Sequence, residues 1–471
     1  MVPLSWMRLY NTLHKQIEEF LPLKNKSVTM FVCGPTVYDY MHMGNARTFV
    51  VFDSVAKYLQ YRGFEVRYIQ NITDIDDKII IGAQKSGEDI DVFARRFEEA
   101  FLEDAQHLGI SSVQQYARAT DHIDAIIKQI QTLLDKDFAY EIADGIYFDV
   151  SKFPAYGKLS GRTVAQAEDG ISRIDENPEK RNTADFCLWK RSKHDEPSWQ
   201  SPWFPGRPGW HIEDTAITET YFGPQYDLHG GGRDLMFPHH EAEITQQESA
   251  SGKSPFVKYW MHTEFLVTKS SKMSKSKGNF DTARDVLKKY SKEVLRLYFL
   301  SAHYRSPLEY SPESLEQAQA GIDRISEFLD RLKFFENKNE EAHKYDEQTG
   351  KAADASYDNI LTALDDDFNT PKALGALFEF IRLGNQYIHE NKIDFHFAKR
   401  VLHVLDIFSN VFGIIPFQKQ SIPKDITELV QERQSAKAAK DFGRADQLRQ
   451  KIEELGYLID DTPYGPMVKQ K

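Results

Sequence analysis

Two lysines three residues apart, Lys272 and Lys275, stand among serines and glycine in SSKMSKSKGN, residues 270–279. Such a loop can carry two ammonium groups onto a triphosphate and close over it. Far upstream, CGPTVYDYMHMGNAR (33–47) leads from a β-rich segment, VTMFVCG, into a helical pattern. His42, Gly44 and Asn45 stand at that strand-to-helix junction. Backbone N–H groups and the helix dipole favour an anion there. Gly44 lets the backbone approach it closely. His42 and Asn45 can donate to phosphate oxygens as charge builds on them. Alone, each string has a bland reading: a solvated basic loop, or a chance H-x-G-N. Together they point to a nucleotide held from two sides.

The elements that must position these residues follow from hydrophobic periodicity. Phe49, Phe52, Val55, Ala56 and Leu59 share one face of a helix over about 44–62. EVRYIQNITD (65–74) reads as the next strand. Strand, helix and strand in that length make a βαβ unit, hence a parallel sheet. Residues 113–195 break the rhythm with helices, one strand in GIYFDV and a polar loop, and read as an insertion. The sheet pattern resumes at YDLHGGG (226–232), then a helix over 239–251 and a strand HTEFLV (262–267). From about 281 the pattern is helical, with a polar loop or linker at 335–355 and a small helical tail from Pro423 ending in the turn-rich DDTPYGP. The expected fold is α/β: a Rossmann-type parallel-sheet domain with an insertion, followed by an all-α C-terminal region.

The chain has 471 residues, a formal net charge of −12 and two cysteines, Cys33 and Cys187. That length implies several domains. Two cysteines do not make a disulfide framework, and a cytoplasmic setting is expected. No apolar run is long enough to span a bilayer, so no membrane partner is expected. The start lacks a signal-peptide pattern, and Met7 is an alternative first residue because MRLYNTL already reads as a strand. The negative charge does not exclude nucleic acid, since phosphate contact needs only a basic face. The runs at 180–194 and 269–277 are candidates, the former more simply read as a solvated loop.

HMGN (42–45) resembles the first signature of class I aminoacyl-tRNA synthetases, and KMSKS (272–276) is identical to their second. The resemblance is greatest to the cysteinyl-tRNA synthetase family. It extends through CGPTVYDYMHMGNAR, NITDIDDKII (71–80), RPGWHIE (207–213), DLHGGGRDLMFPHHE (227–241), KMSKSKGNF (272–280), DFNTPKAL (367–374) and the tail at 445–465. It implies ATP with Mg²⁺, L-cysteine and tRNA(Cys), with His42, Asn45, Lys272 and Lys275 as catalytic residues and Gly44 beside the nucleotide. It also implies an amino-acid pocket lined by Thr36, Thr73, Trp210, His229 and Asp234, and a monomeric enzyme. The domains expected on this basis are 1–112 with 196–280 (catalytic), 113–195 (connective insertion), 281–335 (tRNA-stem contact), 336–422 (anticodon binding) and 423–471 (tail unit).

The resemblance further implies a zinc ion that grips the substrate thiolate. Soft sulfur prefers zinc over a hydroxyl, so serine is rejected without editing. Cys33, His239 and Glu243 match the family's ligands. The fourth family ligand is a cysteine following Trp-His-Ile-Glu. Here Asp214 holds that position. Asp214 either ligates zinc through a harder carboxylate or marks a site without metal. Alternatives of other classes are a cysteine ligase acting on an amino-sugar acceptor, a non-catalytic tRNA-binding paralogue and a synthetase for another amino acid. The long helical region after residue 320 argues against the first, and intact KMSKS against the second.

Overall fold

The computed structural model describes residues 7–162, 177–268, 281–336, 347–390, 392, 395–415, 423–462 and 465–470. Lys272 and Lys275 lie outside the described residues. The chain divides into two compact units. The first is Met1–Gln319 with Asn359–Gly375 and Asn410–Ile414. The second is Ala320–Asp358, Ala376–Ser409 and Ile415–Lys471.

The first unit is built on a parallel sheet of five strands. Their spatial order is Val257–Thr263, Tyr226–Gly232, Ser27–Val32, Glu65–Ile72, Gln115–Arg118. Chain order reverses between Ser27–Val32 and Tyr226–Gly232. In doubly wound sheets that reversal opens a crevice beyond the strands' carboxyl ends. The central strands are buried almost throughout, as a sheet covered on both faces requires. Helix Met43–Tyr61 covers one face, with Phe49, Phe52, Val55, Ala56 and Leu59 all buried as the periodicity predicts. Gly230 makes this packing possible, since a Cβ there would lie 2.4 Å from the Phe52 ring.

Several elements differ from the sequence reading. The strand at the sheet edge is VKYWMHT, Val257–Thr263; it begins earlier than HTEFLV. Leu266–Val267 pairs instead with Leu308–Glu309 in a separate two-stranded sheet. Gln115–Arg118 lies past residue 112 but belongs to the main sheet. The insertion holds a four-stranded antiparallel sheet whose last strand, Gly206–Pro208, lies beyond residue 195. Ile146, Phe148, Leu188 and Trp189 form its core with helix Ile123–Asp135.

In the second unit, helices Lys424–Ala438 and Phe442–Glu454 pack through Ile426, Val430 and Ile452. The turn-rich end is an antiparallel hairpin, Tyr457–Thr462 with Gly465–Gln470. Arg433 grips Asp461 through two hydrogen bonds of 2.8 Å. A helix, Glu347–Asp365, starts inside the stretch expected as linker. None of the helices searched among the described residues is long and apolar enough to cross a membrane.

Candidate active site

The strand ends supply the walls of one cavity, about 650 Å³ in volume. Strand Ser27–Val32 delivers Cys33, Glu65–Ile72 delivers Thr73, and Tyr226–Gly232 leads to Asp234. The helix beginning at Met43 contributes Gly44 and Asn45, with His42 as its cap. Thr36, Trp210, Asp214 and His239 complete the set of expected residues that line the cavity.

His42 has two jobs. Its Nδ1 accepts the Asn45 backbone N–H at 3.1 Å, capping the helix. With Nδ1 an acceptor, the neutral ring carries its hydrogen on Nε2, so it offers a donor. Gly44 allows this folded-back ring: a Cβ there would lie 3.0 Å from His42 Cε1 and Nδ1. Asn71 and Thr73 fix the opposite wall. The Thr73 backbone bonds to Pro35 and Val37, holding it beside Thr36. Its hydroxyl donates to Glu213 Oε1 at 2.7 Å.

The sequence-predicted His229 is not on the cavity wall. It is fully buried behind it, stacked on Trp260 with ring centroids 4.3 Å apart. Its Nδ1 is 2.6 Å from the Tyr226 hydroxyl. Trp210, by contrast, is 38% exposed and stacks on His239 at 4.3 Å.

Four donors converge at one end of the cavity: Cys33, Asp214 and His239 line it, and Glu243 is fully buried and does not. Cys33 Sγ lies 3.0 Å from Asp214 Oδ2 and 3.8 Å from Glu243 Oε1. His239 Nε2 lies 3.0 Å from both Asp214 Oδ2 and Glu243 Oε1. A tetrahedron with zinc bonds of 2.0–2.3 Å has edges of about 3.3–3.7 Å. Cys33, Asp214, His239 and Glu243 thus form a buried group of donors that could hold a metal ion. On the far side of His239, Nδ1 meets His211 Nδ1 at 2.8 Å, the outer partner a ligating imidazole carries. Cys187 is elsewhere, in strand Phe186–Arg191 of the insertion sheet.

The electrostatics ask for a cation. Glu213, Asp214 and Glu243 are buried, and one oxygen of each lacks a hydrogen-bond partner. Burial, then the neighbouring Asp214, pushes the carboxyls of Glu213 and Glu243 well above the usual range. Burial, Asp214 and Glu243 likewise push the Cys33 thiol up. Burial drives His211, His229 and His240 well below the ordinary histidine value, so they stay neutral. A dication is the natural counterpart of such a group.

Sequence reasoning missed three residues. His240 puts Nε2 3.3 Å from Cys33 Sγ, and His211 backs His239. The doubled histidine in HHEAE was the available signal for His240. Arg47, inside the first motif, is fully buried and donates to the carbonyls of Glu264, Phe265, His303 and Ser306. It ties helix Met43–Tyr61 to the backbone at Glu264–Phe265 and at His303 and Ser306.

Residues 19–320 match the family model for the class I (C) tRNA synthetase catalytic domain, and residues 360–418 match the DALR domain. The Cysteine--tRNA ligase of Clostridioides difficile is 43% identical over 98% of this chain and 99% of its own. That of Thermococcus gammatolerans is 43% identical with the same coverage. Among solved structures, Mycobacterium tuberculosis methionyl-tRNA synthetase bound by methionyl-adenylate is similar in fold, with a TM-score of 0.63 at 15% identity. That likeness covers 82% of this chain and 92% of the other. A putative arginyl tRNA synthetase from Campylobacter jejuni aligns over 83% of this chain and 94% of its own, with a TM-score of 0.57 at 14% identity. The chain therefore belongs to the cysteine–tRNA ligase family of class I aminoacyl-tRNA synthetases.

Proposed function

We propose that this chain activates L-cysteine with ATP·Mg²⁺ and transfers it to the 3′ end of tRNA(Cys). One observation carries the reading: the thiol-type donor cluster and the helix-capping His42 open into the same cavity. A cysteine side chain at Cys33, Asp214 and His239 then puts its carboxylate toward the nucleotide side. That carboxylate attacks the α-phosphate, and pyrophosphate leaves. No enzyme nucleophile is required. The protein's work is positioning and stabilising phosphoryl charge.

In this reading His42 and Asn45 donate to the phosphates, with Gly44 giving the close approach. Lys272 and Lys275, which lie outside the described residues, supply the further phosphate charges that the KMSKS resemblance assigns them. Thr36, Thr73, Trp210 and Asp234 shape the amino-acid pocket, and His229 supports it from behind. Cys33, His239 and Glu243 hold zinc, with Asp214 as fourth ligand. Bound there, zinc supplies a soft Lewis acid for the substrate sulfur, which serine's hydroxyl cannot match. The DALR match at 360–418 supports contact with the anticodon side of tRNA. It also favours a tRNA acceptor over an amino sugar. We place the enzyme in the cytoplasm as a monomer.

Exchange of pyrophosphate into ATP, measured with cysteine, serine and methionine side by side, tests this reading. Cysteine alone should support exchange. Exchange with serine at a similar rate, or none with cysteine, would overturn it.

A further inference from the structure

Among the described residues that line the cavity, Lys78 alone is a lysine or arginine. It stands in the first turn of helix Asp77–Ser86, which follows strand Glu65–Ile72. The sequence leading to it, NITDIDDK, offers three aspartates as partners, yet each is engaged elsewhere. Asp74 accepts from the Thr120 backbone and hydroxyl and from Arg95. Asp76 caps the helix, accepting the Lys78 backbone N–H at 2.8 Å. Asp77 is held by Lys190 and Arg207, which stand on two strands of the insertion sheet.

The Lys78 side chain is exposed, and its ammonium lies over the Tyr38 ring, 5.4 Å from the centroid. It forms no ion pair among the described residues. A cation over an exposed ring gains about 0.5–1 kcal/mol, enough to aim the ammonium without neutralising it. The bonds at Asp76 and Asp77 fix the backbone from which it reaches. Lys78 is thus a positioned cation on the cavity wall, still open to an anion.

The reaction brings more than one anion. The triphosphate has its own donors in His42, Asn45 and the two motif lysines. Lys78 follows a different strand, on the Thr73 side of the cavity. Once pyrophosphate has left, the substrate still to be positioned is the 3′ end of tRNA. It carries a phosphodiester next to the ribose whose hydroxyl reacts. An ammonium is a compact point charge with three donors, suited to a single phosphate.

We propose that Lys78 binds the last phosphodiester of the tRNA 3′ end and so sets the terminal ribose against the aminoacyl-adenylate. This rests on the reading that the chain charges tRNA.

Charging of a tRNA(Cys) transcript and cysteine-dependent pyrophosphate exchange, measured on the full chain as wild type, Lys78→Ala and Lys78→Arg, test the proposal. Lys78→Ala should lower kcat/KM for tRNA about tenfold or more beyond any loss in exchange, as removal of one charge-assisted contact does. Lys78→Arg keeps the charge and should recover most of that loss. Salt supplies a readout that a merely structural role would not move. The slope of log kcat/KM for tRNA against log salt concentration should become shallower by about 0.7 in Lys78→Ala, the share of one phosphate in a single strand. Equal losses in exchange and charging, with a raised KM for cysteine or ATP, would assign Lys78 to the first step and overturn the proposal. An unchanged salt slope would overturn it as well. A wild type that exchanges with cysteine but charges no tRNA overturns the underlying reading instead, so the two failures are distinguishable.

Discussion

Asp214 departs from the family pattern within the sequence, yet its Oδ2 lies 3.0 Å from both Cys33 Sγ and His239 Nε2. A carboxylate is a harder donor than a thiolate, so zinc should be held less tightly than by a cysteine. Asp214→Cys is expected to raise zinc affinity about tenfold or more, read by chelator competition; unchanged affinity would remove Asp214 from the coordination sphere. His42 caps helix Met43–Tyr61 through Nδ1, and in the proposed function donates to phosphate through Nε2. His42→Ala should lower the exchange rate about 10²–10³-fold with little change in the KM for cysteine, as loss of a charge-stabilising donor does. The same change removes a helix cap and should cost about 1 kcal/mol of stability, measurable by denaturation. If only stability falls, His42 is a cap and nothing more.

At the scale of elements, the strand–helix–strand unit around Cys33 was legible because periodicity, junction and motif agree. Helix Met43–Tyr61 and strand Glu65–Ile72 fall where the pattern puts them. The edge strand was misplaced because VKYWMHT is buried on nearly all positions and lacks the alternation that marks a strand. Burial of His229 was not legible either. The motif resemblance put His229 on the pocket wall, and only Trp260 from the neighbouring strand, stacked on its ring, shows it behind. The terminal hairpin was hidden by the turn residues of DDTPYGP. Helix Met43–Tyr61 is anchored by Asp53, which accepts from Lys57, Arg296, Ser111 and Ser112. Burial alone would raise its carboxyl, but Arg296, Lys57 and these bonds hold it below the usual value. Its stabilisation is therefore present above the unfolded carboxylate value of about 3.9 and is lost as pH falls through the lower folded value. Asp53→Asn should cost about 3–5 kcal/mol at pH 7, because Arg296 is left buried without its partner. That deficit against wild type should shrink below about pH 4 in urea titrations. A deficit independent of pH would point to packing instead.

For the whole molecule, composition gave only bounds, and the two phosphate-side motifs gave the class. The compact units do not follow simple cuts along the chain. Asn410–Ile414 belongs to the first unit, where the Phe412 carbonyl accepts from Arg296. Truncation after Gln319 should therefore destabilise the catalytic unit. The segment 423–471 has its own core in Ile426, Val430, Ile452 and Ile459. Its removal should leave cysteine-dependent exchange intact while lowering tRNA charging efficiency at least about tenfold, since only the second step uses tRNA. Equal losses in both steps would show that the tail supports the catalytic fold. The central claim, a cysteine-specific tRNA ligase, is tested most directly by attachment of labelled amino acid to a tRNA(Cys) transcript. The account predicts that cysteine is attached at the 3′ end and serine is not; charging by serine, or no charging by cysteine, would contradict it.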